Sequence, residues 1–541
     1  MPKEREDVET KSSDSPEVYQ QTKFMAWFEK AFPWLLVSGA ALGLLLMIFL
    51  PVIFFQEKTA EQLLAQSNLR LALLYTTGGA IAALGLLETY RKNTNDRTKA
   101  NADINAALEN QKHQTKVLKE QIRQFDENAF KERKAERRER YTKAVEQLGD
   151  EKAPVRMGGV YTLVGLVDEW LEEKSLSDDE RFKEGQVIIN NLCAYIRSPF
   201  TLTSYYDELS EDAPSLEGSY KDKKEEFYVD KAILDSEADV RLSIIKEIHD
   251  RIQDPDKNTP GAWSDFEYDF SGSTFFYPVD LTKSYYTKPV NFSGSTYEGW
   301  ADFRGSTYEG WADFRGSTYK GGAYFSGSIY KGWADFRGSI YKGWADFRGS
   351  IYKGGANFSR STYQALADFS RSTYQALADF SSSTYKSGAN FNSSTYGGDA
   401  DFSRSIFYSK TYFGKDKYSN SSSCFTNRAP QFYDKTNHKN TLFGSHNNDF
   451  TVDIDKGYPI NLNSEGLPLG CKILTSEQKE YLEYKFQEIE KIQNELFEVK
   501  DPKEKEELLK KLQALNKELY EWRGEATTVK VEGTAPEEKN N

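Results

Sequence analysis

The feature that most constrains this chain is an eleven-residue repeat that begins at Phe270. Its copies are nearly identical, as in ADFRGSTYEGW, ADFRGSTYKGG and ADFRGSIYKGW. One large residue per copy runs from Phe270 to Phe413, and a second series follows five residues behind it through Tyr418. A single copy is too short to bury its large residues. The repeat therefore predicts a stacked architecture, in which neighbouring copies build one continuous core.

An eleven-residue period also occurs in right-handed coiled coils, so the helical alternative has to be tested first. Most copies contain two glycines together with Ser, Thr and aromatic residues. Each interior glycine costs a helix roughly 1 kcal/mol relative to alanine, which excludes a coiled coil here. Within a copy, Ala301 lies two residues before Phe303 and Ser306 two before Tyr308. This alternation places the small and the large residue on the same side of an extended strand.

The five-residue pattern of small, polar, large, polar and glycine resembles the pentapeptide-repeat family, with one extra residue in every second unit. The resemblance implies a right-handed quadrilateral parallel β-helix over residues 263–418. Four faces take 22 residues, so Phe303, Phe325 and Phe347 are expected to stack on one face at about the 4.8 Å strand spacing. The predicted structural ladder consists of Phe292, Phe303, Phe314, Phe325, Phe336, Phe347, Phe358, Phe369, Phe380, Tyr297, Tyr308, Tyr319, Tyr330 and Tyr341.

The extra residue of each double unit is predicted to lie at a corner of the coil. In four copies it is a tryptophan. If these side chains form an exposed row, they make an apolar edge that suits a protein partner, although lining a corner of the coil is an equal alternative. The candidate partner surface consists of Trp300, Trp311, Trp333 and Trp344.

Two apolar segments precede the repeats. Residues 32–55 contain no charge over 24 positions, which is enough for a transmembrane helix, and residues 71–87 form a second candidate span. Lysines and arginines flank the pair, whereas the short outside loop 56–70 has few, so both termini are predicted to be cytoplasmic. Residues 1–31 are then a polar cytoplasmic leader. Small residues around Gly43 and Gly78 predict close packing of the two helices.

Helical segments lie on both sides of the repeats. Residues 94–140 lack proline and glycine and predict a long helix or coiled-coil stalk, through which the chain could form a homo-oligomer. Residues 141–255 predict an α-helical domain, whose "A-x-x-x-L-G … V-R-x-G-G-x-Y-x-L … L-C-A-Y-x-R" pattern resembles a module of bacterial pentapeptide-repeat proteins. After the repeats come a cap or linker (419–474), a helical hairpin split at Pro502 (475–523) and a disordered tail (524–541).

Composition and motifs exclude several classes of function. The net charge of −13 argues against a general nucleic-acid binder. Three scattered cysteines give neither a disulfide framework nor metal-ligand spacing, and the sequence has no phosphate loop and no nucleophile–base grouping. No catalytic residue, cofactor or metal site is therefore predicted, and the chain is not expected to be an enzyme. Arg156 and Arg197 are candidates for anion binding or, more simply, for ion pairs.

The leading hypothesis is a non-enzymatic scaffold in a bacterial inner membrane, crossing it twice and presenting a rigid β-helix to an unknown protein partner in the cytoplasm. A DNA-mimicking regulator of a topoisomerase-like enzyme is an alternative that the family resemblance implies. Residues 265–417 carry 17 Lys or Arg against 15 Asp or Glu, so the field of one sign that DNA mimicry requires is missing. A transmembrane sensor or signal relay is the third hypothesis.

Overall fold

The structure is a computed structural model that describes residues 16–55, 59–216, 218–253, 259–417, 421–499 and 502–528. The chain divides into two compact units, Met1–Ala129 and Phe130–Asn541. Residues 1–15 of the predicted leader, Tyr418 and residues 529–541 of the predicted tail lie outside the described residues.

The first unit contains one long helix and most of a second. Helix α1 spans Pro16–Phe54 and α2 spans Ala60–Leu148. The segment Lys30–Phe54 has a mean hydropathy of 2.5 and α2 contains a window of 1.5, so both helices are long and apolar enough to cross a membrane. Helix α2 runs without a break through the predicted span, the predicted stalk and the first residues of the helical domain. The sequence has no proline between Pro51 and Pro154 to interrupt it.

The predicted close packing of α1 and α2 is present at one glycine. A Cβ added at Gly43 would lie 2.8 Å from Thr77 Cγ2, so a larger residue there would displace the Thr77 side chain where the two helices meet. Gly39 and Gly78 have open space around them instead. The glycines of these helices therefore do not form one continuous small-residue interface.

The helical domain of the second unit consists of α3 (Ala153–Leu171), α4 (Asp178–Arg197), a 3-10 turn (Thr201–Tyr205), α5 (Tyr206–Leu209) and α6 (Lys224–Ile252). Buried Leu163, Trp170, Ile189 and Ile245 form part of its core. A Cβ added at Gly159 would lie 2.7 Å from the carbonyl oxygen of Ala144, which explains why α3 crosses α2 at a glycine.

The repeats form a four-faced parallel β-helix, which confirms the predicted fold class. Each coil contains four two-residue strands, and strands pair with those 22 residues away, as in Ala301↔Ala323 and Ile329↔Ile351. Four sheets result, here called faces A to D in chain order.

Face A contains β1 (Tyr268–Asp269), β5 (Val290–Asn291), β9 (Ala312–Asp313), β13 (Ala334–Asp335), β17 (Ala356–Asn357), β21 (Ala378–Asp379) and β25 (Ala400–Asp401). Face B contains β2 (Thr274–Phe275), β6 (Thr296–Tyr297), β10 (Thr318–Tyr319), β14 (Ile340–Tyr341), β18 (Thr362–Tyr363), β22 (Thr384–Tyr385), β26 (Ile406–Phe407), β31 (Leu442–Phe443) and β32 (Lys472–Ile473).

Face C contains β3 (Val279–Asp280), β7 (Ala301–Asp302), β11 (Ala323–Tyr324), β15 (Ala345–Asp346), β19 (Ala367–Asp368), β23 (Ala389–Asn390) and β27 (Thr411–Tyr412). Face D contains β4 (Tyr285–Tyr286), β8 (Thr307–Tyr308), β12 (Ile329–Tyr330), β16 (Ile351–Tyr352), β20 (Thr373–Tyr374), β24 (Thr395–Tyr396) and β28 (Cys424–Phe425). A separate antiparallel pair joins β29 (Tyr433–Asp434) to β30 (Lys439–Asn440).

The solenoid does not end where the sequence repeat ends. Residues 419–474, predicted as a cap or linker, add β28, β31 and β32 to the existing sheets. Phe432 stacks on Phe402 at 5.1 Å between ring centroids, and Phe443 stacks on Phe407 at 5.2 Å. Insertions between these strands break the eleven-residue spacing, so the last coils cannot be recognised by looking for an eleven-residue repeat in the sequence.

Two helices follow, α7 (Ser476–Glu498) and α8 (Pro502–Ala526), which form the helical hairpin. Thr475 begins α7 with a capping box, in which its side chain accepts the Gln478 N–H and the Gln478 side chain accepts the Thr475 N–H. Leu482 and Phe486 of α7 pack against Ile406 and Leu442. The hairpin is thus part of the same unit as the solenoid and lies on face B.

Candidate functional site: the surface of the solenoid

Aromatic rings fill the interior of every coil. The predicted ladder residues are all at most 1% exposed. Phe303 stacks on Phe325 at 5.0 Å between centroids, and Tyr308 stacks on Tyr330 at 4.8 Å. Burial raises the pKa of the Tyr330 hydroxyl well above its usual value. These rings serve as the core, so contact with a partner falls to the side chains that point outward.

Short polar turns form the corners that follow faces A and C. The Asp302 carboxylate accepts the backbone N–H of Arg304 at 3.1 Å, and Gly305 then adopts a φ of +69°. An aspartate that bonds two residues ahead stabilises such a turn, and glycine enters the left-handed region without steric cost. The order A-D-F-R-G in the sequence is therefore dictated by this corner.

Faces A and C present paired charges. Arg315 binds the Asp313 carboxylate at 2.8 Å, and its guanidinium lies 5.3 Å from the centre of the Trp311 ring. Arg348 binds Asp346 at 2.7 Å. These carboxylates are at most 8% exposed, because the arginine side chains lie over them. In these coils the two faces therefore carry neutralised pairs rather than bare carboxylates.

Faces B and D present rows that consist mainly of Thr and Ile, and in most coils a polar edge residue follows. The chain's own helical hairpin covers the later strands of face B, where Thr384 is 8% and Ile406 is 1% exposed. The Tyr408 hydroxyl donates to Glu483 at 2.7 Å, and the Lys386 ammonium lies 5.1 Å from the centre of the Phe486 ring. Face B thus shows what kind of element this surface accepts.

Face D carries a similar row, and among the described residues no helix packs on Ile329 and Ile351 as α7 packs on face B. Ile329 and Ile351 are half-buried on adjacent strands, and the neighbouring edge residues Lys331 and Lys353 are exposed. Lys331 pairs with Glu309 at 2.5 Å. Two lysines and two isoleucines therefore lie side by side on an accessible sheet.

The four tryptophans do not form one row. Because a coil takes 22 residues, Trp300 and Trp344 lie at the corner between faces B and C, and Trp311 and Trp333 at the corner between faces D and A. Trp300, Trp311 and Trp333 are 41–45% exposed. Trp344 is half-buried, with Tyr324 edge-on at 5.9 Å. The eleven-residue alignment suggested a single row, whereas the 22-residue coil separates the residues into two pairs.

The arginines considered for anion binding are engaged in the protein. Arg156 pairs with Glu237 at 3.1 Å and donates to the Asp150 carbonyl at 2.9 Å. Arg197 pairs with Asp269 of the first coil. In the part of the chain that the structure describes, no group of three or more His, Cys, Asp or Glu could hold a metal ion.

Comparison with known proteins agrees with the geometry of the coils. Residues 270–318 and 311–351 match the family described as pentapeptide repeats, with nine copies. No curated protein and no solved structure matches the chain. The matched residues are those whose strands pair at 22-residue intervals around an aromatic interior. By this family match and by its four-faced coil, the repeat region of the chain is a pentapeptide-repeat β-helix.

Proposed function

We propose that the chain is a non-enzymatic scaffold, anchored in a membrane, that presents its solenoid to a protein partner in the cytoplasm. The observation that carries the proposal is the contrast between interior and surface. The interior repeats almost without change, while Trp311, Trp333 and Leu377 along one corner are 40–45% exposed. Exposed aromatic and apolar groups on a rigid element are typical of protein-binding surfaces.

Membrane anchoring is supported by the two apolar helices. Large apolar residues of α1, including Trp34, Phe49 and Ile53, are more than half exposed. Such exposure is unfavourable in water and favourable in a lipid bilayer. The distribution of Lys and Arg favours cytoplasmic termini, and a bacterial inner membrane fits the resemblance of the helical domain.

The DNA-mimic hypothesis requires a bare acidic surface. Four aspartates of faces A and C are instead bound by the arginine two residues later, as in the Asp313–Arg315 and Asp346–Arg348 pairs. The scaffold hypothesis is therefore favoured, because neutral, partly apolar faces fit a protein better than they imitate DNA.

Self-association through the stalk forms part of the proposal. Ile104, Leu108, Leu118, Ile122 and Phe125 follow the three- and four-residue spacing of a helix-pairing stripe, and all are exposed. A Leu118→Cys variant is expected to form a disulfide between two chains under mild oxidation. The off-stripe variant Lys116→Cys serves as the control, and equal cross-linking of both would contradict stalk pairing.

Topology can be tested with single cysteines, because Cys193, Cys424 and Cys471 are buried. A membrane-impermeant maleimide added to intact cells is expected to label Thr59→Cys and to spare Asn101→Cys until the cells are opened. Alkaline carbonate is expected to leave the chain in the membrane pellet. Extraction into the supernatant, or labelling of Asn101→Cys in intact cells, would refute the anchoring.

The scaffold role is tested by cross-linking in native membranes. The double variant Trp311→Ser, Trp333→Ser removes apolar surface outside the core and is expected to lose cross-linked partner species that the wild-type chain gives. Ile454→Ser, which changes an exposed apolar residue outside the repeats, is the matched control. Identical cross-linking patterns for the wild-type chain and the double variant would remove the solenoid surface from the proposed role.

A further inference from the structure

Two opposite faces of the solenoid carry nearly the same outward sequence. The double unit repeats after eleven residues, which is half a coil, so each Thr or Ile of face B has a counterpart on face D. Ile340 of face B corresponds in this way to Ile329 and Ile351 of face D. Face B is covered by a helix of the same chain, and this contact indicates the kind of ligand that suits face D.

The ligand of face B belongs to the chain itself. Helix α7 places Leu482 and Phe486, one turn apart, against Ile406 and Leu442. Polar edge residues complete the contact through the Tyr408–Glu483 hydrogen bond and the Lys386–Phe486 cation–π contact. An amphipathic helix is therefore recognised by an apolar row together with a partly basic edge.

The charge of α7 agrees with that mode of recognition. The helix contains seven glutamates against three lysines, and its apolar residues lie on one side. Face D offers the complementary charge at Lys353, next to Ile351, whereas Lys331 is already paired with Glu309. The corner beside it adds Trp333 and Leu377, which are 41% and 40% exposed.

We infer that face D is a docking surface for an acidic amphipathic helix of a partner protein, bound as face B binds α7. The inference rests on the proposed scaffold function and specifies which surface of the solenoid is used and what chemistry it takes. Apolar anchors one helical turn apart contact Ile329 and Ile351, and an acidic group on the flank of the helix contacts Lys353.

The probe is a fluorescent synthetic peptide of residues 475–499, which carries the α7 sequence. It is titrated against the full-length chain in detergent, whose face B is already occupied by its own hairpin. Saturable binding with one site per chain is expected. Absence of binding at peptide concentrations up to about 200 µM would overturn the inference.

Matched variants assign the binding site. Thr occupies the same outward position at Thr362 and Thr373, so the double variant Ile329→Thr, Ile351→Thr is compatible with the coil. Loss of this apolar contact is expected to weaken peptide binding about tenfold. Ile340→Thr, the same change on face B, is expected to leave affinity within about twofold. Loss of affinity only in Ile340→Thr would place the peptide on face B. Equal loss of affinity in both variants would show that face D is not the specific site. Either result would overturn the inference.

Charge gives a second test of the occupant. Lys353→Glu is expected to weaken binding and to reduce its dependence on salt, whereas Lys342→Glu on face B leaves both nearly unchanged. If the full chain instead dimerises without binding peptide, and the double isoleucine variant abolishes dimerisation, face D takes a second copy and the inference fails. If the peptide does not bind while membrane cross-links still depend on Trp311 and Trp333, the scaffold function stands and only the helix site is refuted.

Discussion

Residues 301–349 and residues 356–404 form two halves of the solenoid that share an interior and differ at the corners. Both halves stack phenylalanines at about the same distance, 5.0 Å for Phe314–Phe336 and 5.0 Å for Phe358–Phe380. In the first half, glycine takes the left-handed corner position, and in four of the five copies an arginine pairs with the preceding aspartate. In the second half, Arg or Ser takes that corner position.

This difference between the halves indicates that the aromatic interior determines the coil, while the residues at the corners can vary. Of the two halves, the first has exposed tryptophans, Trp311 and Trp333, and the second has Leu366 and Leu377 at the equivalent corners. A partner therefore meets a different surface on each half of one continuous rod. Four pairs of substitutions test this division between a shared interior and variable corners.

The largest effect is expected in the interior. Phe336→Ala and Phe380→Ala each remove a fully buried ring that stacks on both neighbouring coils. Each is expected to lower the free energy of unfolding by about 3–5 kcal/mol, because a cavity remains where the ring was. Urea unfolding of the full-length chain, followed by near-UV circular dichroism, measures the loss. Costs that differ by more than about 2 kcal/mol would show that the halves do not share one interior.

The second comparison concerns the aspartates of face A. Asp313 is bound by Arg315 at 2.8 Å, whereas Asp401 accepts the Ser403 N–H at 2.8 Å and has Asp379 as its neighbour on the ladder. Burial raises the pKa of Asp401, with a further contribution from Asp379. Its carboxyl group therefore favours folding while it is protonated, and that contribution is lost as pH rises through the folded-state pKa.

Replacement by asparagine separates the two sites. Asn keeps the acceptor of the turn, as Asn357 does on the same face, where it accepts the Ser359 N–H at 2.9 Å. Asp401→Asn is expected to be neutral or stabilising at pH 7 and to reduce the loss of stability that occurs as pH rises above the usual aspartate pKa of about 4. Asp313→Asn is expected to cost about 1–2 kcal/mol at pH 7, because Arg315 loses its charged partner. A larger loss for Asp401→Asn would contradict this account.

The sequence was sufficient to predict the coil but not every surface. The alternation of Ala301 with Phe303 and of Ser306 with Tyr308 predicted extended strands, and the resemblance to the pentapeptide-repeat family implied the four faces that give a 22-residue register. Phe432 and Phe443 could not be aligned, because insertions separate them from the regular copies. The cover on face B could not be predicted either, since the contact between Phe486 and Ile406 joins residues 80 positions apart.

A smaller effect is expected from the tyrosine ladder of face D. Tyr330 and Tyr396 are buried, and their hydroxyls make no hydrogen bond of normal geometry to the described residues. Phe425 occupies the next position of the same ladder and stacks on Tyr396 at 4.5 Å. Tyr330→Phe and Tyr396→Phe are therefore each expected to leave stability unchanged or to raise it by up to about 1 kcal/mol. Destabilisation of either by that amount would reveal a polar partner for the hydroxyl.

The smallest effect tests the corner itself. Gly338 and Ser382 lie at the same corner, two coils apart, with φ values of +71° and +58°. Serine is strained in this region, while glycine loses more backbone entropy on folding, so the two effects partly cancel. Ser382→Gly is expected to stabilise the chain by about 0.5–1 kcal/mol and Gly338→Ser to destabilise it by the same amount. A shift of the same sign for both variants would mean that neighbouring side chains, rather than the backbone, determine what the corner accepts.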